Sequence, residues 1–508
     1  MNQKYIITSL ITSMLFIGLI SCDLGEYPYG FYSEDNFYKT EADAEAAVNY
    51  IYDAITYIEY SRTIVFLGDM NTDDMEPKGD ATGDTKNLDG WILNNFKTNS
   101  HLSNLFKYSY ITINRANALI KKVAEMDIDE NVKNRYLGEA YFMRGFSYFH
   151  LTRNFGLVPI HLTPVEKLSE ATKAPAATLD EIWDRVISDF TEAGNLLPYY
   201  SSPVTGRADK AAADAFLAKS YLYIASAKEN SVPGFVNMSH NVDEYYQKAV
   251  EFAGKVVDNP EQSQFHFSDN LLDIYDVENP DGPEHIFIMS MDRTGESEGQ
   301  YSKISKMYIP YVSGATIYLK QGDTNQLIPS HDGWGEYRTT SSLYNSFDVG
   351  DRRKDWLIVD KVFDSSGNLS ASYDDGRLEY PFSRKFIDPQ FVGDKTSTRP
   401  FLMRFSDVAL IYAEAAGPTS KSYELINFIR NRAGLGNLPG NLDKESFREA
   451  VLRERRHELS FEGDRCYDLR RWNLLHTDIT EAREQGLTAD DVVFYPIPSI
   501  ETDLNPNY

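Results

Sequence analysis

Apolar residues return every three or four positions through much of the chain, a spacing that predicts amphipathic helices. Thr40 is a suitable N-cap for the first, whose apolar side runs through Ala44, Ala47, Val48, Ile51, Tyr52, Ile55 and Ile58. Further helices are predicted over residues 101–126 and 131–155. Thr178-Leu179-Asp180-Glu181 has the form of a capping box that opens another. An Ala-rich helix then runs to Ala227, and residues 243–257 form its partner before Pro260.

Two stretches break this rhythm. Residues 62–99 are rich in Asp, Asn and Gly and carry Gly68-Asp69-Met70-Asn71-Thr72-Asp73-Asp74 and Asp89-Gly90-Trp91. Long irregular loops inside compact domains are uncommon and often functional. Residues 280–400 are turn-rich, with a strand expected over residues 284–290 and reversals at Asp281-Gly282, Asp332-Gly333 and Asp375-Gly376. In the helical pairs small residues alternate with aromatic ones, as in tetratricopeptide repeats, although the linkers are longer than that unit allows. The expected fold is therefore mainly α. A tetratricopeptide-like helical scaffold (about 40–60, 101–260 and 401–475) carries an irregular, loop-rich insertion with short strands (about 280–400), and residues 40–508 make one domain.

Asp443 caps a C-terminal helix with Glu445 in its first turn, where negative charge suits the helix dipole. Phe447, Ala450, Val451, Glu454 and Glu458 share one face, so carboxylates follow apolar residues on the side that meets the core. A buried carboxylate needs a guanidinium partner. Glu454, Glu458 and Glu462 with Arg455 and Arg465 are read as a structural ion network. The run Glu454-Arg455-Arg456-His457-Glu458-Leu459-Ser460-Phe461-Glu462-Gly463-Asp464-Arg465-Cys466-Tyr467-Asp468-Leu469-Arg470-Arg471-Trp472 resembles the signature of the SusD/RagB family of outer-membrane nutrient-binding lipoproteins. The upstream blocks Arg404–Ala416 and Ile426–Gly434 resemble the family in the same order, as do residues 131–159 and 341–353. The ending Asn505-Pro506-Asn507-Tyr508 departs from the family's usual tail.

The amino terminus bears on compartment. Lys4 precedes an apolar run that ends in Leu19-Ile20-Ser21-Cys22, the form of a secretory signal (residues 1–21) with a lipobox-like end. Cys22 is then the lipidated residue and residues 22–39 a tether, which leaves Cys466 without a disulfide partner after export. Asp23 is an inner-membrane retention residue in some bacteria, but the bacteria of this family sort lipoproteins differently, so the outer surface is expected. With 76 acidic against 50 basic residues the net charge is −26, which repels nucleic acid and anionic lipid faces.

Enzyme motifs fail on inspection. His457-Glu458 lacks the second histidine of a zinc helix, because the residue four positions on is Phe461. Gly434-Leu435-Gly436 follows a helix rather than a strand, and there is no nucleophile elbow. The acid pairs Asp73-Asp74, Asp374-Asp375 and Asp490-Asp491 are unremarkable in so acidic a chain. No cofactor and no metal site is expected; the acidic loops do not match the spacing of a calcium loop. A binding surface fits better, since sugar rings pack C–H faces on Trp and Tyr beside polar groups. The candidates are Asp69, Asn71, Asp74 and Trp91 from the first loop and Tyr311, Trp334 and Tyr337 from the insertion, while Trp183, Trp356 and Trp472 are assigned to structure. The resemblance implies a glycan ligand passed to a SusC-like TonB-dependent transporter. A peptide ligand in the same role, and a surface glycosidase, are the alternatives.

Overall fold

The first helix, α1 (Glu41–Thr56), forms where its apolar stripe predicts, with Thr40 accepting from Asp43 N–H and the Asp43 carboxylate accepting from Thr40 N–H in return. Ala44, Ala47, Val48, Ile51 and Ile55 are buried along it. The computed structural model describes residues 37–199, 206–312 and 316–508, so the expected signal sequence, Cys22 and most of the tether lie outside the described residues. About 52% of the described residues are helical, and the strands are few and short.

The scaffold is built by neighbours in sequence. Helix α2 (Ile58–Asp69) follows at once, and then α3 (Ser100–Val123) packs on α1 and on α4 (Glu130–Phe155). Helix α5 (Leu179–Leu196) lies on α4 and on α6 (Lys210–Glu229), which pairs with α7 (Val242–Val257). Helix α8 (Phe405–Ala416) packs on α7 and gathers α9 (Ser420–Arg432) and α10 (Lys444–Glu458), and α11 (Arg465–Arg471) returns to α2 and α6. Such serial stacking buries a continuous core between successive pairs. Thr178 caps α5 as its residue type predicts, but Glu181 reaches back to Ala177 N–H instead of closing the box on Thr178.

The insertion carries a four-stranded antiparallel sheet in the order β4 (Leu327–Ser330), β3 (Ile317–Lys320), β7 (Lys361–Phe363), β8 (Leu369–Ser372). It has its own apolar cluster, including Ile317, Leu319, Val362, Tyr380 and Phe382. Two pairings tie it to the scaffold. Strand β1 (Met75–Pro77) pairs with β5 (Tyr337–Thr339), and β2 (His285–Ile288) with β10 (Phe401–Arg404), which leads directly into α8.

The stretch 62–99 is not the irregular loop expected. Its first part is α2, in which Ile64, Val65, Phe66 and Leu67 are all buried, so no polar face marks a period. A strand, a short helix (Gly83–Asp89) and a 3-10 turn (Leu93–Thr98) follow. Helix α2 also runs against the 460s segment so closely that a Cβ on Gly68 would sit 1.9 Å from the Gly463 carbonyl oxygen.

The C-terminal charges form three networks rather than one. In the first, Glu458 accepts from Arg353 (3.2 Å), Arg404 (2.9 Å) and Arg432 (2.8 Å). Glu454 meets Arg353 (2.6 Å) and Arg430 (3.0 Å), and Glu462 meets Arg404 and Lys385. Burial alone would raise the Glu458 pKa, yet Arg432, Arg404 and Arg353 hold it far below the usual carboxylate range. Arg455 and Arg465 do not join these glutamates. Arg455 turns to Asp407 (2.7 Å) and Asp468 (2.8 Å), and Arg465 to Asp73 (2.9 Å). A residue adjacent in sequence to Glu454 lies about 100° around the helix, which places Arg455 on a different side.

Candidate functional site

Two rings stand out of the insertion on one ribbon. Residues 309–312 run beside 332–335, held by Gly335 N–H to Ile309 O (2.9 Å) and Gly333 N–H to Pro310 O (3.2 Å). The Asp332 carboxylate fastens the ribbon by accepting from Val312 N–H (2.6 Å) and Gly333 N–H (3.0 Å). Tyr311 is 73% exposed and Trp334 is 39% exposed. The flanking glycines force this presentation. A Cβ on Gly333 would lie 1.7 Å from the Ile309 oxygen, and Gly335 sits at φ +63° with the Tyr380 hydroxyl 2.1 Å from where its Cβ would be. Only glycine fits at both places, and Trp334 is turned outward between them.

Charge surrounds the indole. The Lys306 and Lys303 ammonium groups lie 5.6 and 5.9 Å from the Trp334 ring, within cation–π reach. Lys306 pairs with Asp394 (2.8 Å) and Lys303 with Glu298 (3.5 Å). The hydrogen bond from Lys306 lowers the Asp394 pKa, so the carboxylate stays ionised as an acceptor. Tyr301 continues the patch, with Lys395 at 4.7 Å from its ring. An aromatic face beside fixed donors and acceptors can stack on a sugar ring and bond its hydroxyls.

The other expected site residues are interior, which corrects their assignment to a binding surface. Trp91 is 1% exposed; it stacks on Tyr495 and donates to the Asn71 carbonyl (3.1 Å). The Asn71 amide is held by Tyr495 and by Cys466 Sγ at 3.5 Å. Asp69 accepts from Gly463 N–H (2.8 Å) and Asp74 from Arg456 (2.7 Å). Burial, reinforced by Asp74, pushes the Asp69 pKa well up. Tyr337 is buried on β5 against Phe66 and Tyr308. The Asp/Asn-rich run therefore staples α2 to the C-terminal motif, because arginines from α10 and α11 meet its carboxylates. Of the expected binding residues, Tyr311 and Trp334 alone are exposed, and the structure brings them together.

Trp183 is fully buried and stacks on Tyr223, while Trp472 donates to Glu414 (3.1 Å) and Trp356 to Asp323 (3.0 Å). Sequence reasoning missed Lys303, Lys306 and Tyr301, and no periodic signal marks them. Among the described residues no group of His, Cys, Asp and Glu is arranged to hold a metal ion. No described helix is long and apolar enough to cross a membrane.

Two family models match the chain, one described as "SusD family" over residues 360–508 and one as "Starch-binding associating with outer membrane" over residues 32–222. "SusD-like protein P2" of Formosa agariphila is 26% identical over 93% of this chain and 91% of its own length. A "SusD-like protein" of Bacteroides ovatus is 23% identical over 93% of this chain and 83% of its own. Among solved structures, a "Laminarin binding SusD-like protein" superposes with a TM-score of 0.73 at 23% identity, covering 92% of this chain and 98% of that one. NanU of B. fragilis gives 0.73 at 24% identity, covering 94% and 98%. The chain is thus similar to SusD-like proteins over nearly its whole length, and one of the two matching families is described as associating with the outer membrane.

Proposed function

We propose that the protein is a surface-facing lipoprotein, anchored through Cys22, that captures oligosaccharides on the Trp334–Tyr311 ribbon and delivers them to a SusC-like TonB-dependent transporter. The observation that carries the reading is the glycine-enforced exposure of Trp334 beside two lysines. The exposed part of an indole is costly to keep in water unless it meets a ligand. The printed description of the matching family and the laminarin-binding relative support a glycan as that ligand. A catalytic role is disfavoured because at least one acid of each candidate pair is committed elsewhere: Asp73 to Arg465, Asp74 to Arg456, Asp375 to Arg377 and Asp491 to the Thr488 cap. Affinity electrophoresis against laminarin, starch and other neutral polysaccharides tests the reading. Retardation in one of these gels, lost in Trp334→Ala, is expected. Retardation that is unaffected by Trp334→Ala, or binding to peptides in place of glycans, overturns it.

A further inference from the structure

A cleft of about 550 Å³ opens between α3, the segment after α4 and the C-terminal turn, and it shares no residue with the Trp334 ribbon. Its volume falls in the range of clefts that hold small organic ligands. Two tyrosines make its aromatic walls. Tyr50 lies off the buried stripe of α1 and is 57% exposed. The Arg115 guanidinium covers one face of that ring at 3.4 Å and is itself fixed by the Tyr50 carbonyl (2.6 Å) and the Asp53 carboxylate (3.2 Å). Tyr110 is anchored through its hydroxyl, which donates to the Pro159 carbonyl (2.7 Å), and it meets the His161 ring edge-on at 5.8 Å.

The polar groups around these rings have bonding capacity to spare. His161 is 7% exposed, and its backbone is bonded to Tyr148 and Asn117, but among the described residues its ring nitrogens make no hydrogen bond. Burial lowers its pKa, so the imidazole is neutral and offers one donor and one acceptor. Asn114 accepts from Val165 N–H (2.7 Å) through its carbonyl oxygen, and among the described residues its amide nitrogen has no partner. One Glu501 oxygen holds Asn505 (2.7 Å), and among the described residues the other meets no donor. Neither His161 ring nitrogen is among the fully buried unpaired polar atoms, so both stay open to solvent or to a ligand.

We propose that this cleft is a second saccharide site, which takes a neutral sugar of one or two rings between Tyr50 and Tyr110, with His161, Asn114 and Glu501 meeting its hydroxyls. The lining carries no strong charge bias, since Lys107 stands against Glu501 and Arg115 is already paired with Asp53, which suits a neutral sugar. The site stands apart from the Trp334 ribbon, and the two fail separately. The test is saturation-transfer NMR titration of the whole mature chain with glucose, maltose, cellobiose and laminaribiose to about 20 mM. In the Trp334→Ala, Tyr311→Ala chain, which removes the ribbon from the reading, at least one disaccharide still binds, and adding Tyr50→Ala weakens that binding by about tenfold or more. Should Tyr50→Ala misfold, Glu501→Gln, which keeps the bond to Asn505, carries the same expectation. Absence of binding to all four sugars in that chain, or binding untouched by the cleft variants, would overturn the assignment.

Discussion

Replacing Glu458 by Gln removes one charge from a buried cluster that is otherwise balanced. Five basic groups, Arg353, Arg404, Arg430, Arg432 and Lys385, meet five carboxylates, Asp351, Glu284, Glu454, Glu458 and Glu462. Glu458 is 1% exposed and serves three guanidinium groups, two on one oxygen and Arg353 on the other. In the variant, an amide N–H₂ turned toward Arg353 sets donor against donor, and turned the other way it faces two. One positive charge is left buried without a counter-charge. Breaking a buried ion pair from one side costs about 3–5 kcal/mol. Unfolding entropy of about 2 cal/mol/K per residue over a chain of this size gives roughly 1 kcal/mol per degree, hence a Tm lower by about 3–5 °C. Urea unfolding followed by far-UV circular dichroism, together with calorimetry at pH 7, measures both. The folded-state pKa of Glu458 lies below its ordinary 4.5, so its contribution is whole above about pH 5 and is lost as pH falls through and below 4.5. The deficit of the variant therefore shrinks between pH 7 and pH 3. A loss under about 1 kcal/mol at pH 7, or a deficit that grows on acidification, would refute the assignment of Glu458 as the keystone of the cluster.

Trp91→Ala, which empties a buried site, should cost about 3–5 kcal/mol and leave glycan retention intact in whatever fraction stays folded, read by urea unfolding and affinity gels. Gly68→Ala puts a methyl group into the Gly463 carbonyl and should cost about 3 kcal/mol or prevent folding, measured by soluble yield and Tm. Asp209 caps α6 through one oxygen while the other has no partner, and burial raises its pKa to about 7. A carboxyl raised in this way favours folding at low pH and disfavours it as pH rises through 7. Asp209→Asn should accordingly gain roughly 2–3 kcal/mol relative to the parent between pH 5 and pH 8 in urea titrations at each pH.

The helical scaffold was legible because its stripes are local. Ala44, Val48, Ile51 and Ile55 mark α1 without reference to any other element, and the three C-terminal blocks carry a family resemblance that the fold bears out. Helix α2 was not legible, because a helix buried on all sides shows no alternation at Ile64–Leu67. The binding residues divide for a related reason. Trp91 and Trp334 both follow a glycine in an acidic stretch, and locally only Gly335 after Trp334 tells them apart. The burial of Trp91 is set at a distance: Tyr495 closes over it, while Arg456 and Arg465 meet Asp74 and Asp73 from nearly 400 positions downstream. The glycines on both sides of Trp334 were the one local sign of exposure, and there the steric reasoning needed no partner. The ion network was anticipated in kind, but the arginines that serve Glu458 come from residues 353, 404 and 432 instead of its own helix.

The most direct test of the ribbon as the capture surface compares the parent chain with the Trp334→Ala, Tyr311→Ala double variant in polysaccharide affinity gels, with both Tm values recorded. Retention in a neutral glycan gel that falls to background in the double variant, at a Tm within about 2 °C of the parent, is the predicted result. Undiminished retention in a folded double variant would contradict it.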